Sequence, residues 1–180
     1  MSQDPSIYRR PPRGRPLIGF QLEVPREVEL REGPTLKCRE VLQGGRTLGE
    51  IEISVFAAAL VIDRDGLLAE KACEMIAHEA TVRGGPIAVA VALPGASGFR
   101  TDAVTNTPLP YRYAFAIAPP DLGVDGGIAI TIRCASPDWP AADHMLRSLR
   151  ILTRNGRIAT QLEVDDGPLL PVVAPLSKRD

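Results

Sequence analysis

Gly49-Glu50-Ile51-Glu52-Ile53-Ser54-Val55-Phe56-Ala57-Ala58-Ala59-Leu60-Val61-Ile62 leads into Asp63-Arg64-Asp65-Gly66, and a helical pattern then runs from Leu67 to Val82. In the first half, Ile51, Ile53 and Val55 alternate with Glu50, Glu52 and Ser54, the two-residue period of a strand with one buried face. The second half is apolar on both sides, as in a strand that enters the middle of a layered structure. Asp63 or Asp65 suits the free N–H groups at a helix start, and either charge suits the positive end of the dipole. Leu68, Ala72, Met75, Ile76 and Glu79 follow the 3.6-residue period. Gly84-Gly85 supplies a left-handed stop, and Pro86 prevents continuation. Residues 49–83 therefore predict strand, turn and helix, with the rest of the chain supplying sheet for that helix to lie on.

On the N-terminal side, Ile18, Phe20, Leu22 and Val24 alternate with Gly19, Gln21 and Glu23, and Pro25 ends the strand. Val28 and Leu30 mark a second short piece, and Leu36–Leu42 a weak strand before the hairpin-like turn Gln43-Gly44-Gly45-Arg46. On the C-terminal side, Ile87–Leu93 reads as a strand whose alanines would let a helix approach closely. Phe99–Thr105 is a further strand, and Asn106–Pro110 a turn. Tyr111, Tyr113, Phe115 and Ile117 share one face of a strictly alternating strand. Asp121–Gly127 joins it to a second alternating strand, Ile128–Cys134, so the two form an antiparallel hairpin. Ser136-Pro137-Asp138 reads as the opening of a short second helix with Ala142, Met145, Leu146 and Leu149 on its buried stripe. Asn155-Gly156 predicts a last hairpin between Leu149–Thr153 and Arg157–Val164.

Residues 1–16 differ in composition. Pro5, Pro11, Pro12 and Pro16 oppose helix and central strand, while Arg9, Arg10, Arg13 and Arg15 face a single acid, Asp4. This stretch reads either as a solvated tail or as an extended arm that lies across a partner. The chain thus divides into a Pro/Arg-rich arm (1–16), one domain (17–164) and an extended C-terminal tail (165–180). The fold class is α+β, an α/β/α sandwich on a mainly antiparallel sheet with one long and one short helix.

A chain of 180 residues with 44% hydrophobic residues can build one substantial core, and 4% aromatics mean that Ala, Val, Ile and Leu must fill it. A net charge of −1 argues against a dedicated nucleic-acid binder, which carries a basic face. Cys38, Cys73 and Cys134 are far apart and odd in number, so free thiols in a reducing compartment are expected rather than a disulfide framework or zinc site. The N-terminus lacks the apolar core of a signal peptide, and no apolar run approaches the ~20 residues of a membrane-spanning helix. The expected location is the cytoplasm, and the Arg, Ala, Gly and Pro content suggests a GC-rich bacterial genome.

Residues that could carry chemistry are sparse. His78 and His144 are the two histidines, and neither has a second histidine at metal-binding spacing. Ser97, His144 and Asp102 could be written as a nucleophilic set, but Gly95-Ala96-Ser97-Gly98 is not a nucleophile elbow. There is no phosphate-binding glycine motif. Asp63-Arg64-Asp65-Gly66 resembles the start of a calcium loop without its later ligands, and helix capping explains it better. Asp121, Asp125, Asp165 and Asp166 lie in turns, where Asp is expected. The Tyr111, Tyr113, Phe115 stripe could stack bases, but core packing is the simpler reading.

The order of elements resembles the PsbP-like superfamily, which includes a photosystem accessory protein, a Ran-binding import factor, bacterial lipoproteins and cytoplasmic chaperones for secreted effectors. The resemblance spans about residues 18–153. It rests on the long Gly66–Arg83 helix after a strand pair, and on Asp143-His144-Met145-Leu146-Arg147-Ser148-Leu149-Arg150-Ile151, whose Leu-x-Ser-Leu step looks like that fold's closing element. It implies an α/β/α sandwich and a non-enzymatic role in binding a protein partner. The functional expectation is a non-enzymatic cytoplasmic accessory, adaptor or chaperone-like protein, a subunit of or chaperone for a larger, secretion-type assembly, with Arg9, Arg10, Arg13 and Arg15 as partner-binding residues. No cofactor, metal, nucleic acid or membrane insertion is expected, and a homo-oligomer is possible. Two alternatives remain: a small-molecule or lipid-binding domain using a cleft between the first helix and the sheet, and an enzyme of unrecognised class.

Overall fold

A computed structural model describes residues 6–12, 18–35, 37–57, 63–77, 87–91, 96–119, 126–136, 139–152, 155 and 157–161. The strands are β1 (Ser6–Arg10), β2 (Gly19–Val24), β3 (Val28–Glu32), β4 (Cys38–Gln43), β5 (Arg46–Ala57), β6 (Val89–Ala90), β7 (Ser97–Val104), β8 (Tyr111–Ala118), β9 (Gly126–Cys134), β10 (Arg150–Leu152) and β11 (Ile158–Gln161). Helix α1 (Arg64–Ala77) follows β5, and α2 (Pro140–Arg147) follows β9. A seven-stranded sheet has the order β3-β4-β5-β9-β8-β7-β6, and a four-stranded sheet the order β1-β2-β10-β11. Every strand pairing among the described residues is antiparallel. The class is α+β.

The quoted stretch sits at the middle of this plan. β3, β4 and β5 form one meander, and β6 to β9 form another that returns to pair along β5. Nine residues of β5, Gly49–Ala57, oppose Cys134–Gly126 of β9. The tight β4–β5 turn places Gly44 at φ +58° and Gly45 at φ +77°, a left-handed pair that side chains disfavour. Burial along β5 is deepest at Ile51 and Ile53, whereas Val55 and Phe56 are half-buried and Ala57 is exposed. The expected deepening toward Ile62 does not occur as far as Ala57. The remaining residues of that apolar run lie outside the described residues.

The two faces of β8 define the layers. Tyr113, Phe115 and Ile117 join Phe20, Leu22, Ile51, Ile53, Met145, Leu146 and Leu149 in the main core. Both the small sheet and α2 therefore lie on that face. Ala114, Ala116 and Ala118 project the other way and meet Leu68, Ala72 and Ile76 of α1. The helices thus flank the large sheet on opposite sides, and the small sheet shares the layer of α2. The small residues that admit α1 are these alanines and Ala103; of the two described alanines in 87–93, Ala90 is exposed.

Both helix starts have a clear physical basis. The Asp63 carboxylate accepts the Gly66 N–H at 2.8 Å and its carbonyl accepts the Leu67 N–H at 3.2 Å, so Asp63 is the cap of α1. α2 begins later than Ser136-Pro137-Asp138 predicts. Its N-cap is Trp139, without a side-chain capping bond, and Pro140 takes the first helical position. Burial of Trp139 in the main core fixes this start instead of a polar cap. The predicted α1 terminus at Gly84-Gly85 and the C-terminal tail fall outside the described residues.

Candidate partner-binding surface

Ser6–Arg10 is a strand rather than a solvated tail. It pairs with β2 from Ser6↔Val24 to Arg10↔Phe20. Pro5 and Pro11 bracket it, as expected for an edge strand whose length is limited by residues lacking an N–H. Tyr8 supplies the anchor: its ring lies 5.6 Å from that of Phe20, and the Arg39 guanidinium stands 5.6 Å from the Tyr8 centroid. A Cβ on Gly19 would collide with the Arg10 carbonyl and come within 2.7 Å of the Pro12 nitrogen, so the chain beyond β1 runs tightly across β2.

Arg9 and Arg10 are both exposed, but they leave this strand on opposite faces. Arg9 pairs in register with Gln21, next to the Ile7↔Glu23 pair. Ile7 is 63% exposed. Arg10 shares the register face of Tyr8 and Phe20 at the strand's end. Arg13 and Arg15 lie outside the described residues. The structure therefore brings two of the four predicted arginines to one edge and adds Ile7 and Tyr8, which reading by composition missed. Their signal was present: a β-branched residue and an aromatic between prolines.

Glu23 links this edge to α2. Its N–H donates to Ser148 Oγ at 2.8 Å, and Ser148 Oγ–H donates to the Met145 carbonyl at 2.9 Å. His144 Nε2 stands 3.9 Å from Glu23 Oε2, and Arg147 pairs with Asp143 at 2.6 Å.

A second polar region crosses the large sheet. Arg31, Glu40, Glu50, Arg133 and Arg112 stand directly opposite one another on β3, β4, β5, β9 and β8. Glu40 faces Glu50 and Arg133 faces Arg112, like-charge neighbours that destabilise a sheet unless compensated. Compensation comes from Arg31–Glu40 at 2.5 Å and from Arg133 to Glu50 and Glu52 at 3.5 and 3.8 Å. The Arg31 pKa is raised by its hydrogen bond and charge interaction with Glu40. Burial, and secondarily Glu50, pushes the Cys38 thiol up to about 11, and burial pushes Cys134 up to about 12. None of the three cysteines forms a disulfide; Cys38 and Cys134 are buried, and both are held as neutral thiols.

The other candidates do not converge. Ser97 and Asp102 are five residues apart on β7 and so project from opposite faces, and Asp102 pairs with Arg100 at 3.7 Å. His144 approaches Glu23 instead. Tyr113 and Phe115 are fully buried and offer no stacking platform. No group of three or more potential metal ligands occurs among the described residues. His78 and the turn aspartates Asp121, Asp125, Asp165 and Asp166 lie outside them. No helix among the described residues is long and apolar enough to cross a membrane.

No family is assigned. No family model, curated protein or solved structure matches this chain.

Proposed function

We propose that this protein is a non-enzymatic accessory, adaptor or chaperone-like protein that acts by contact with another protein, and that β1 carries the recognition. The supporting observation is the way β1 is held. Tyr8 anchors it to Phe20, while Ile7, Arg9 and Arg10 stay exposed on a sheet edge. An edge strand offers backbone groups for pairing, and alternating side chains give specificity. Exposed arginines favour a partner bearing carboxylates. The PsbP-like resemblance supports the same class of role. The seam between α1 and the sheet, which a ligand reading would use, is occupied by Leu68, Ala72 and Ile76 against alanines.

The test places a photo-crosslinking residue at Ile7 in the source cell and identifies the captured protein. Arg9→Glu/Arg10→Glu should then reduce its recovery at least tenfold with the circular-dichroism spectrum unchanged. Equal recovery from the folded double variant would remove β1 from the recognition surface.

A further inference from the structure

Residues 84–99 contain no charged side chain, the longest such stretch in the chain. Pro86 and Pro94 bound an Ile-Ala-Val-Ala-Val-Ala-Leu segment with strong strand character. Yet among the described residues of this stretch β6 is Val89–Ala90 alone, at the end of the large sheet. Ile87 is 77% exposed and Val89 49%. Natural sheet edges are ordinarily blunted by charge, and this one is not.

Its backbone is oriented for a second strand. The Val91 N–H donates to the Gly98 carbonyl at 2.9 Å, and the Ile87 carbonyl accepts the Thr101 hydroxyl at 2.9 Å. The odd-numbered residues therefore turn their backbone groups toward β7. By antiparallel alternation, Ala88 and Ala90 turn theirs away from the sheet.

We propose that this edge binds a second copy of the chain through antiparallel pairing of Ile87–Val91. Charge selects the occupant. A two-fold pairing sets each side chain against the same segment, so a charged edge repels itself and an uncharged one does not. β1 carries Arg9 and Arg10, and β3 carries Glu29, Arg31 and Glu32. β11 is flanked by Arg157 and Glu163. β6 alone lies within a long uncharged stretch. Ala88 of one copy stands opposite Ala90 of the other, and Val89 opposite Val89, which brings the exposed β-branched side chains together on one face. The pairing closes at two copies, because the opposite edge of each large sheet is the charged β3. The β1 surface remains available.

Sedimentation velocity from about 1 to 200 µM, the range of a small interface, should show a mass rising from 19.4 kDa toward twice that value. Val89→Lys adds a charge at an exposed position, and Ala90→Pro removes an N–H that faces away from β7. Each should leave a monomer at every concentration, with the thermal midpoint of the dilute, monomeric wild type. Hydrogen exchange should show the Ala88 and Ala90 amides slowing as the dimer forms. A wild-type monomer throughout, or a dimer unaffected by both folded variants, overturns the proposal. Concentration-independent protection of those amides in a monomer also overturns it, because another segment of the chain would then occupy the edge.

Discussion

Gly49 lets Trp139 close the core. A Cβ there would lie 2.7 Å from Cη2 and Cζ3 of the indole and would collide with the Arg133 carbonyl. Gly49→Ala should lower stability by about 1–3 kcal/mol through overpacking, measured by urea denaturation. Ser148 joins the end of α2 to β2 through the Glu23 N–H. Ser148→Ala should cost about 1–2 kcal/mol by leaving that donor without its acceptor. The two buried thiols set an alkaline limit. Their folded pKa values, about 11 and about 12, exceed the ordinary 9.0, so the unfolded chain loses these protons first. Stability should be full below about pH 9 and decline from there toward pH 11–12. Denaturant midpoints across that range should fall less steeply in Cys38→Ala/Cys134→Ala.

At the scale of elements, β1 is held by its five-residue pairing with β2 and by one aromatic, Tyr8. Tyr8→Ala should release the strand while the large sheet stays intact, seen as faster amide exchange in β1 than in β8 and β9. α1 depends on its cap, and Asp63→Ala should cost about 1 kcal/mol. Much at this scale was legible from pattern. The alternation of 111–118 and 128–134 predicts β8 and β9 because period two directly encodes which residues face the core. Three elements were less legible. β1 was obscured because proline and arginine content dominates a five-residue strand. The start of α2 moved because burial of Trp139 outweighed a polar capping pattern. Residues 87–93 read as a full strand, whereas among the described residues the strand is Val89–Ala90, paired with β7.

At the scale of the whole molecule, one sheet carries two unlike faces. α1 covers alanines of β8 on one side, while the small sheet and α2 close the aliphatic and aromatic core on the other. The ion pairs of Arg133, Glu50 and Glu52 continue the α1 face beyond the helix. Two of the sheet edges carry the proposed roles: β1 in recognition of another protein, and β6 in pairing with a second copy. Charge reversal at Arg9 and Arg10 should therefore leave the sedimentation mass unchanged, and Val89→Lys should leave partner recovery unchanged. A variant that disrupts both would show that the two edges are not independent.

By itself the sequence determined the α+β class, the antiparallel central strands and the capped helix after residue 62. Each follows from local periodicity or local hydrogen bonding, which neighbouring residues encode directly. Only the tertiary structure decided that β9 lies beside β5, that a second sheet shares the layer of α2, and that Arg9 and Arg10 stand on a docked strand. Those outcomes depend on which distant surfaces bury one another, and such complementarity has no period along the chain.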